Sequence, residues 1–327
     1  EQHKLSKAVG GFGGSGGLIH TYTHLSVLWS QPSLLDELDS IIETLPEHIE
    51  QDQELDIIGG TAGCLISLIN LYKLAPSEKT LAAAIRCGDH LLEKALRMEH
   101  GIAWMNSLPA SAPLAGFSHG AAGIAWALSS LAELTGEERF QTGAIEAVEY
   151  ERSVYSAKHE NWPDLRNMET FKQQTAANEE LHYPVTWCHG APGVGMGRLL
   201  MLQQHPDSAV RSEVDVAIRT TIKSGFGLNH SLCHGDLGNL ELLIMAAESF
   251  DDPELRSQVD KLAASILENI EDQGWTTGIP SGVESPGMMT GLAGIGYGLL
   301  RLADPARVPS IMVLAAPHNQ STTGYEE

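Results

Sequence analysis

No stretch of this 327-residue chain approaches the roughly 18 to 20 uninterrupted apolar residues that a spanning helix needs, so no membrane span is expected. The opening residues, Glu1 to Lys7, are polar and lack the apolar core of a secretory signal. Cationic side chains are scarce: 20 Lys and Arg stand against 42 Asp and Glu, a formal charge of −22. A nucleic-acid coat is disfavoured, because binding phosphates requires clustered cations that displace counterions. Cysteine is scarce too. Four in so long a chain do not make a disulfide framework, and a reducing compartment would keep them as thiols. The expectation is a cytoplasmic protein whose cysteines are free for metal binding or catalysis. The chain opens on Glu rather than Met, as a piece of a longer product would.

The 43% apolar content, with 33 glycines added, can build a substantial core and is far from that of a disordered chain. Length alone suggests about two domains, but that prior fails for chains built from repeats. One pattern does recur: Gly-x-x-Gly followed at once by an apolar, helix-like run. Its first glycines are Gly13, Gly60, Gly120, Gly190, Gly235 and Gly291, at spacings of 47, 60, 70, 45 and 56 residues, each long enough for two helices. The runs that follow, such as CLISLINLYKLA and IAWALSSLAELTG, are apolar on most faces, as a helix buried on several sides must be. Between them lie amphipathic segments, Leu81 to Met98 and Pro253 to Glu271, the second with Asp252 as cap and Pro253 in the first turn. Hardly anything reads as strand apart from Ile311 to Leu314.

Hairpins of one outer and one inner helix, repeated at this length, make an open solenoid or a closed α/α toroid. Paired small residues where the inner helices begin let backbones approach closely, which suits a crowded axis, so the expected fold is all-α, an α/α toroid. In such a ring the inner-helix starts surround one mouth. The residue before each first glycine is Phe12, Gly59, His119, His189, His234 or Thr290; one place earlier stand Gly11, Ile58, Ser118, Cys188, Cys233 and Met289. Two cysteines and three histidines thus fall in phase. Thiolate and imidazole are the preferred ligands of zinc, and Cys-His-Gly occurring twice in register points to a metal site. Cys188, Cys233 and His234 would leave a fourth position open, whereas His189 could close it; the sequence leaves both open. Cys64 and Cys87 lie in apolar helical runs without such partners and read as packing residues.

The phrases SHGAAG at 118–123, WCHGAPGVG at 187–195, LCHGDLGN at 232–239 and TGLAGIGYGLLRL at 290–302 resemble the motifs of the lanthionine synthetase C-like cyclases. YERS at 150–153, NWPDLR at 161–166 and PSIMVL at 309–314 resemble more narrowly the cyclase half of class II, LanM-type lanthipeptide synthetases. The resemblance runs over about residues 8 to 317. It implies an α/α toroid with one catalytic Zn2+ that closes (methyl)lanthionine rings by adding peptide thiols to dehydroalanine or dehydrobutyrine. It also implies Cys188, Cys233 and His234 as zinc ligands, His119 as the acid/base group and Asp56 as a further acidic residue of the site. A thiol of pKa about 8.5 is mostly protonated at neutrality, and the thiolate is the nucleophile, so a metal that removes the proton has a plain chemical use. A histidine can protonate the enolate left by addition. Asp56 could orient that histidine, or equally cap a helix.

The implied partners are a dehydrated precursor peptide and the dehydratase region that class II synthetases carry upstream. The family's toroid has seven hairpins, of which glycine pairs mark six here, and the arginine that some stand-alone cyclases place four residues before the first zinc cysteine is Pro184. Residues 1–317 are read as one cyclase domain, 147–184 as an insertion over the mouth that helps bind peptide, and 318–327 as a flexible tail. Two other functions were weighed. A zinc-dependent thiol alkyltransferase of the protein prenyltransferase kind would want a basic diphosphate pocket, and no Lys/Arg cluster flanks the Cys-His motifs. A non-catalytic scaffold binding peptides or glutathione would have little use for His119 and Asp56.

Overall fold

The computed structural model describes residues 7–166 and 181–318. Among these, eleven α-helices alternate between two concentric layers. The inner layer comprises α1 (Ser15–Leu28), α3 (Thr61–Leu74), α5 (Ala121–Thr135), α7 (Ala191–Gln204), α9 (Asp236–Phe250) and α11 (Leu292–Ala303). The outer layer is α2 (Asp39–Gln51), α4 (Glu78–Lys94), α6 (Glu138–Val154), α8 (Ser208–Ser224) and α10 (Pro253–Gln273). α3, α5, α7 and α9 each pack on the outer helix that follows, α1 packs on the short 3-10 helix Pro32–Leu38, and the inner helices pack side by side from α1 through α11, which is the expected α/α toroid. α10 begins as read from the sequence, with the Asp252 carboxylate accepting from the N–H groups of Glu254 and Leu255.

The glycine pairs have a steric cause that recurs around the ring. A Cβ on the second glycine would strike the carbonyl oxygen six residues upstream: Gly63 on Ile57, Gly123 on Phe117, Gly193 on Trp187, Gly238 on Leu232 and Gly294 on Met288, all at 1.7–2.1 Å. The loop before each inner helix therefore folds back flat onto the first helical turn. In the first unit GGSGG offers two registers, and the structure takes the one the sequence reading did not. Gly14 rather than Gly13 is the N-cap of α1, with Ala8 close behind it, while Gly13 faces open space. Phe12 accordingly moves to the position equivalent to Cys188 and Cys233.

A glycine N-cap brings no side chain to satisfy the first helical N–H groups. That role passes to groups from outside the helix. Asp52, at the end of α2, accepts from Thr61 N–H at 2.8 Å. Glu151 of α6 accepts from Ala122 N–H at 3.0 Å, and Asn161 accepts from Ala191 N–H at 2.7 Å. Glu151 is fully buried and pairs through its other oxygen with the equally buried Arg198 of α7 at 2.9 Å.

Successive loops are joined around the mouth by main-chain hydrogen bonds. Phe12 N–H donates to Ile58 O, Cys188 N–H to Cys233 O and Cys233 N–H to Met289 O, at 3.1, 3.3 and 2.8 Å, and Ile57 N–H donates to Ser118 O at 3.2 Å. Aromatic rings fill the axis beneath, where Phe12 and Phe117 pack against the buried Trp187. Six inner helices are described, against the seven hairpins that the resemblance implies. The segment after α11 spans the remaining gap: Tyr297 hydroxyl and Arg301 hold Pro309 O and Val308 O, while Asn70 and His24 reach Leu314 O and Ala315 O. Residues Ile311–Val313, expected as strand, form a 3-10 turn within this bridge, since its polar backbone pairs with side chains of three helices rather than with another strand. The interval expected as an insertion, 147–184, begins inside α6, which runs to Val154; its residues 167–180 lie outside the described residues, as do 319–327 of the expected tail. The amphipathic helix expected to reach Met98 ends at Lys94, and Leu96–Arg97 instead pairs with Ile102–Ala103 as a two-stranded ribbon.

Two outcomes test this packing. Gly238→Ala is expected to destabilise by about 1–3 kcal/mol, because the obstacle is backbone, whereas Gly296→Ala, which meets nothing within 4 Å, should stabilise α11 by about 0.5–1 kcal/mol; urea midpoints distinguish them. His20 is buried with its ring 4.1 Å from that of His24, and burial, aided by His24, lowers its pKa from 6.5 to about 3. Below pH 6.5 the unfolded chain binds a proton that the folded one refuses, so stability falls by about 1.4 kcal/mol per pH unit toward pH 3. His20→Gln should remove that share of the slope between pH 7 and 5.

Candidate metal centre and acid/base pair

The bonds from Cys188 to Cys233 and on to Met289 bring two cysteines 45 residues apart to one side of the mouth. Their sulfurs and a ring nitrogen of His234 all lie within 4.8 Å of one another, and among the described residues no other group of three His, Cys, Asp or Glu converges in this way. Gly190, at φ +99°, and Gly116, at φ +110°, hold backbone conformations that favour glycine. A side chain on Gly116 would also strike the Cys188 carbonyl, so the loop before His119 can lie directly on the Cys188 loop.

The three side chains behave as one titrating cluster. Cys188 is held well below an ordinary thiol, first by a hydrogen bond from Cys233 and further by His234, despite its burial. Cys233 keeps the shared proton and is pushed up by the same bond, and His234 is raised by its bond to Cys188. A sulfur anion is thus stabilised by protons that a divalent cation would replace, and the donor set of two thiolates and one imidazole is the soft, nitrogen-and-sulfur type that suits zinc. His234 Nε2 lies 2.8 Å from Gly278 O; an N–H donated there leaves Nδ1 as the free donor atom and fixes the ring. Thr186 hydroxyl sits 3.4 Å from the Cys188 sulfur.

On the adjoining rim, His119 Nδ1 lies 2.7 Å from Asp56 Oδ2, with Asp56 almost wholly buried and a quarter of the His119 side chain exposed. Asp56 Oδ1 accepts from Gly59 N–H at 2.8 Å. The helix-capping alternative for Asp56 does not hold, because Asp52 supplies that cap. With Nδ1–H donated to the carboxylate, Nε2 presents its lone pair to the mouth. Asn106 pins this loop by donating to His119 O at 3.1 Å.

His189 does not join the three-ligand group. Its ring stacks 6.0 Å from that of His119, and both its nitrogens are buried without a protein partner. Burial lowers its pKa, so the ring is neutral. Cys64 and Cys87 are buried together between α3 and α4, where burial pushes the Cys87 thiol up. Sequence reasoning missed Asn106, Thr186, Gly278 and the pair Asp164–Arg166. Of these only Asp164 and Arg166 carried a signal, inside the quoted NWPDLR.

A closed helical toroid with soft ligands on two adjacent loops and a histidine–carboxylate pair beside them defines the class. The chain matches the family described as lanthionine synthetase C-like protein over residues 2–313, and it belongs to that family. It is 27% identical over 258 residues to the lacticin 481/lactococcin biosynthesis protein LcnDR2 of Lactococcus lactis subsp. lactis, covering 75% of this chain. The chain spans about a quarter of that relative's length. Among solved structures, a nisin cyclase superposes with a TM-score of 0.71 at 17% identity, over 95% of this chain and 81% of its own. A sugar epimerase from a ruminal bacterium (TM-score 0.53, 12% identity, 75% and 70% covered) and a GH76 α-mannanase of Bacteroides thetaiotaomicron (0.52, 12%, 85% and 78%) share the toroid alone. No described helix is long and apolar enough to cross a membrane.

Because a Cβ on Gly278 would lie 2.8 Å from His234 Nε2, Gly278→Ala should displace the imidazole and weaken the affinity of the three-residue group for added Zn2+ by about 10–100-fold, as for other changes behind a ligand. Competition against a chromophoric chelator reads this directly.

Proposed function

We propose that this chain is a zinc-dependent lanthipeptide cyclase of the LanM type, closing (methyl)lanthionine rings in a dehydrated precursor peptide. The observation that carries the reading is the convergence of Cys188, Cys233 and His234 within 4.8 Å beside an oriented His119–Asp56 pair. Cys188, Cys233 and His234 would hold one Zn2+, and bound there the ion supplies a peptide thiol that stays deprotonated at neutral pH. The remaining chemistry belongs to the protein. Three protein ligands are one fewer than a closed tetrahedral zinc site would use, the donor count of a catalytic rather than a structural centre. His119 Nε2, facing the mouth, accepts the thiol proton and returns it to the α-carbon once the sulfur has added to the β-carbon. Asp56 fixes the tautomer and supports the charged ring between those events. His189 stacks on His119, and its ring nitrogens lack a protein partner, which supports a role in binding substrate. Residues 1–317 act as one cyclase domain in the cytoplasm, taking peptide from a dehydratase. A scaffold without catalysis would gain nothing from a carboxylate buried only to orient an open histidine.

Cys233→Ala should lose zinc and ring closure together, measured by elemental analysis and by mass spectrometry of thiol alkylation on a dehydrated precursor; retention of both removes Cys233 from the centre. His119→Ala should keep its zinc while ring closure slows by about 10²-fold or more. An unchanged rate would reduce His119 to scaffolding.

A further inference from the structure

After α6 the chain forms a strap beside the mouth, tied by antiparallel bridges between Ser156 and Asn161, Asp164 and His182, and Ala110 and Arg166. Trp162 and Asp164 are buried in it. The Asp164 carboxylate receives Arg166 Nε at 3.0 Å and Nη2 at 2.6 Å, and also the Arg166 backbone N–H at 3.1 Å. Burial alone would raise the Asp164 pKa, but this pairing holds it below the usual carboxylate range, so Asp164 is an anion.

The pair is lopsided. The Asp164 side chain is 1% exposed and that of Arg166 is 38% exposed, and Nη1 takes no part in the fork. Burying a carboxylate is costly unless its partner repays the desolvation, and here the whole carboxylate serves to aim one half-open guanidinium. Arg166 bridges to Ala110, in the segment whose Asn106 pins the His119 loop, while Asn161 of the same strap donates to Tyr183 O and Pro184 O and accepts from Ala191 N–H, at the start of the helix that follows Cys188. The guanidinium thus stands on a strap tied to both the His119 loop and the Cys188 loop, and its charge reaches the two cysteines.

Resting on the cyclase reading above, we infer that Arg166 binds the carbonyl oxygen of the dehydro residue and carries the negative charge that this oxygen gains during ring closure. The electrons balance as follows. A sulfur lone pair forms the S–Cβ bond, and the π pair of the Cα=Cβ bond shifts toward the carbonyl, giving an enolate oxygen. Protonation of Cα by the His119 imidazolium then restores the carbonyl, so the hydrogen that left the thiol ends on Cα and no other reactant is consumed. An arginine suits the oxygen because it stays charged and gives up no proton at any physiological pH. It stabilises the oxyanion without quenching it on oxygen, leaving the proton for carbon. Its fixed orientation by Asp164 is the preorganisation that makes such a donor effective.

The test uses the whole chain loaded with zinc and a dehydrated precursor peptide. Arg166→Gln should retain its zinc and its affinity for a saturated, unreactive peptide while kcat for ring closure falls by about 10²–10³-fold. Arg166→Lys should recover part of the loss. Added guanidinium ion should restore turnover to Arg166→Gly but not to His119→Ala, a response that a purely structural arginine would not give. Asp164→Asn, which frees the guanidinium, should lower kcat with little change in KM. Ring closure by Arg166→Gln at the wild-type rate overturns the assignment, and so does loss of zinc or folding in all Arg166 variants with no response to guanidinium. A wild-type chain that binds no zinc or closes no rings fails for a different reason: the cyclase reading falls, and this inference with it.

Discussion

Where an inner helix begins, a glycine lies so flat against the preceding loop that a single added carbon would overlap a carbonyl oxygen, at distances as short as 1.7 Å. This backbone-on-backbone contact converts a helix-start motif into a positioning device. It sets the angle at which the loop leaves the helix, and that angle presents the loop's N–H and C=O groups to the loops on either side. The hydrogen bonds from Cys188 to Cys233 and from Cys233 to Met289 are the result. The convergence of ligands is thus a property of the main chain, with the side chains free to differ. Phe12, Ile58, Ser118, Cys188, Cys233 and Met289 occupy one structural position with five kinds of side chain. That the same toroid serves a sugar epimerase and a mannanase fits this division of labour between frame and rim.

The two halves of the site differ in kind. The sulfur and imidazole cluster is built from one anion, two stabilising donors and a ring fixed by Gly278 O. The His119–Asp56 pair is open at one end and buried at the other, so its orientation is set from within while part of the imidazole meets solvent. Each half alone occurs widely in structural roles. Their contiguity rests on a loop contact that needs Gly116 to be glycine.

Much of this was legible because the repeat makes equivalence visible. Phase alone brings Cys188, Cys233 and His234 together but admits His189 equally, and the all-α toroid follows from apolar runs that admit no polar face. The repeat also misled where it was ambiguous, since GGSGG fits two registers and only the packing of Gly14 against Ala8 decides between them. Apolar character misled at Ile311–Val313, where a bridge between helices looks like a strand. Asn106, Thr186 and Gly278 belong to no repeat position. They act through contacts with residues distant or offset in the chain, and a hydrogen bond to His119 O or His234 Nε2 leaves no mark on local pattern. Arg166 stood within a quoted motif, but only the strap's bridges show that it returns to the mouth.

Glu151 belongs to the outer layer, yet its carboxylate holds Gly116 N–H and Ala122 N–H on one side and Arg198 of α7 on the other. The first two govern the approach to His119, and the third governs the helix that starts just after Cys188. The loop of His119 and the helix behind Cys188 therefore share one anchor on the far side of the wall. Substitutions there act pleiotropically, shifting both elements together, so neither half can be retuned in isolation by changes behind the barrel. Divergence in this molecule is channelled to the rim, where single residues can change without disturbing their neighbours.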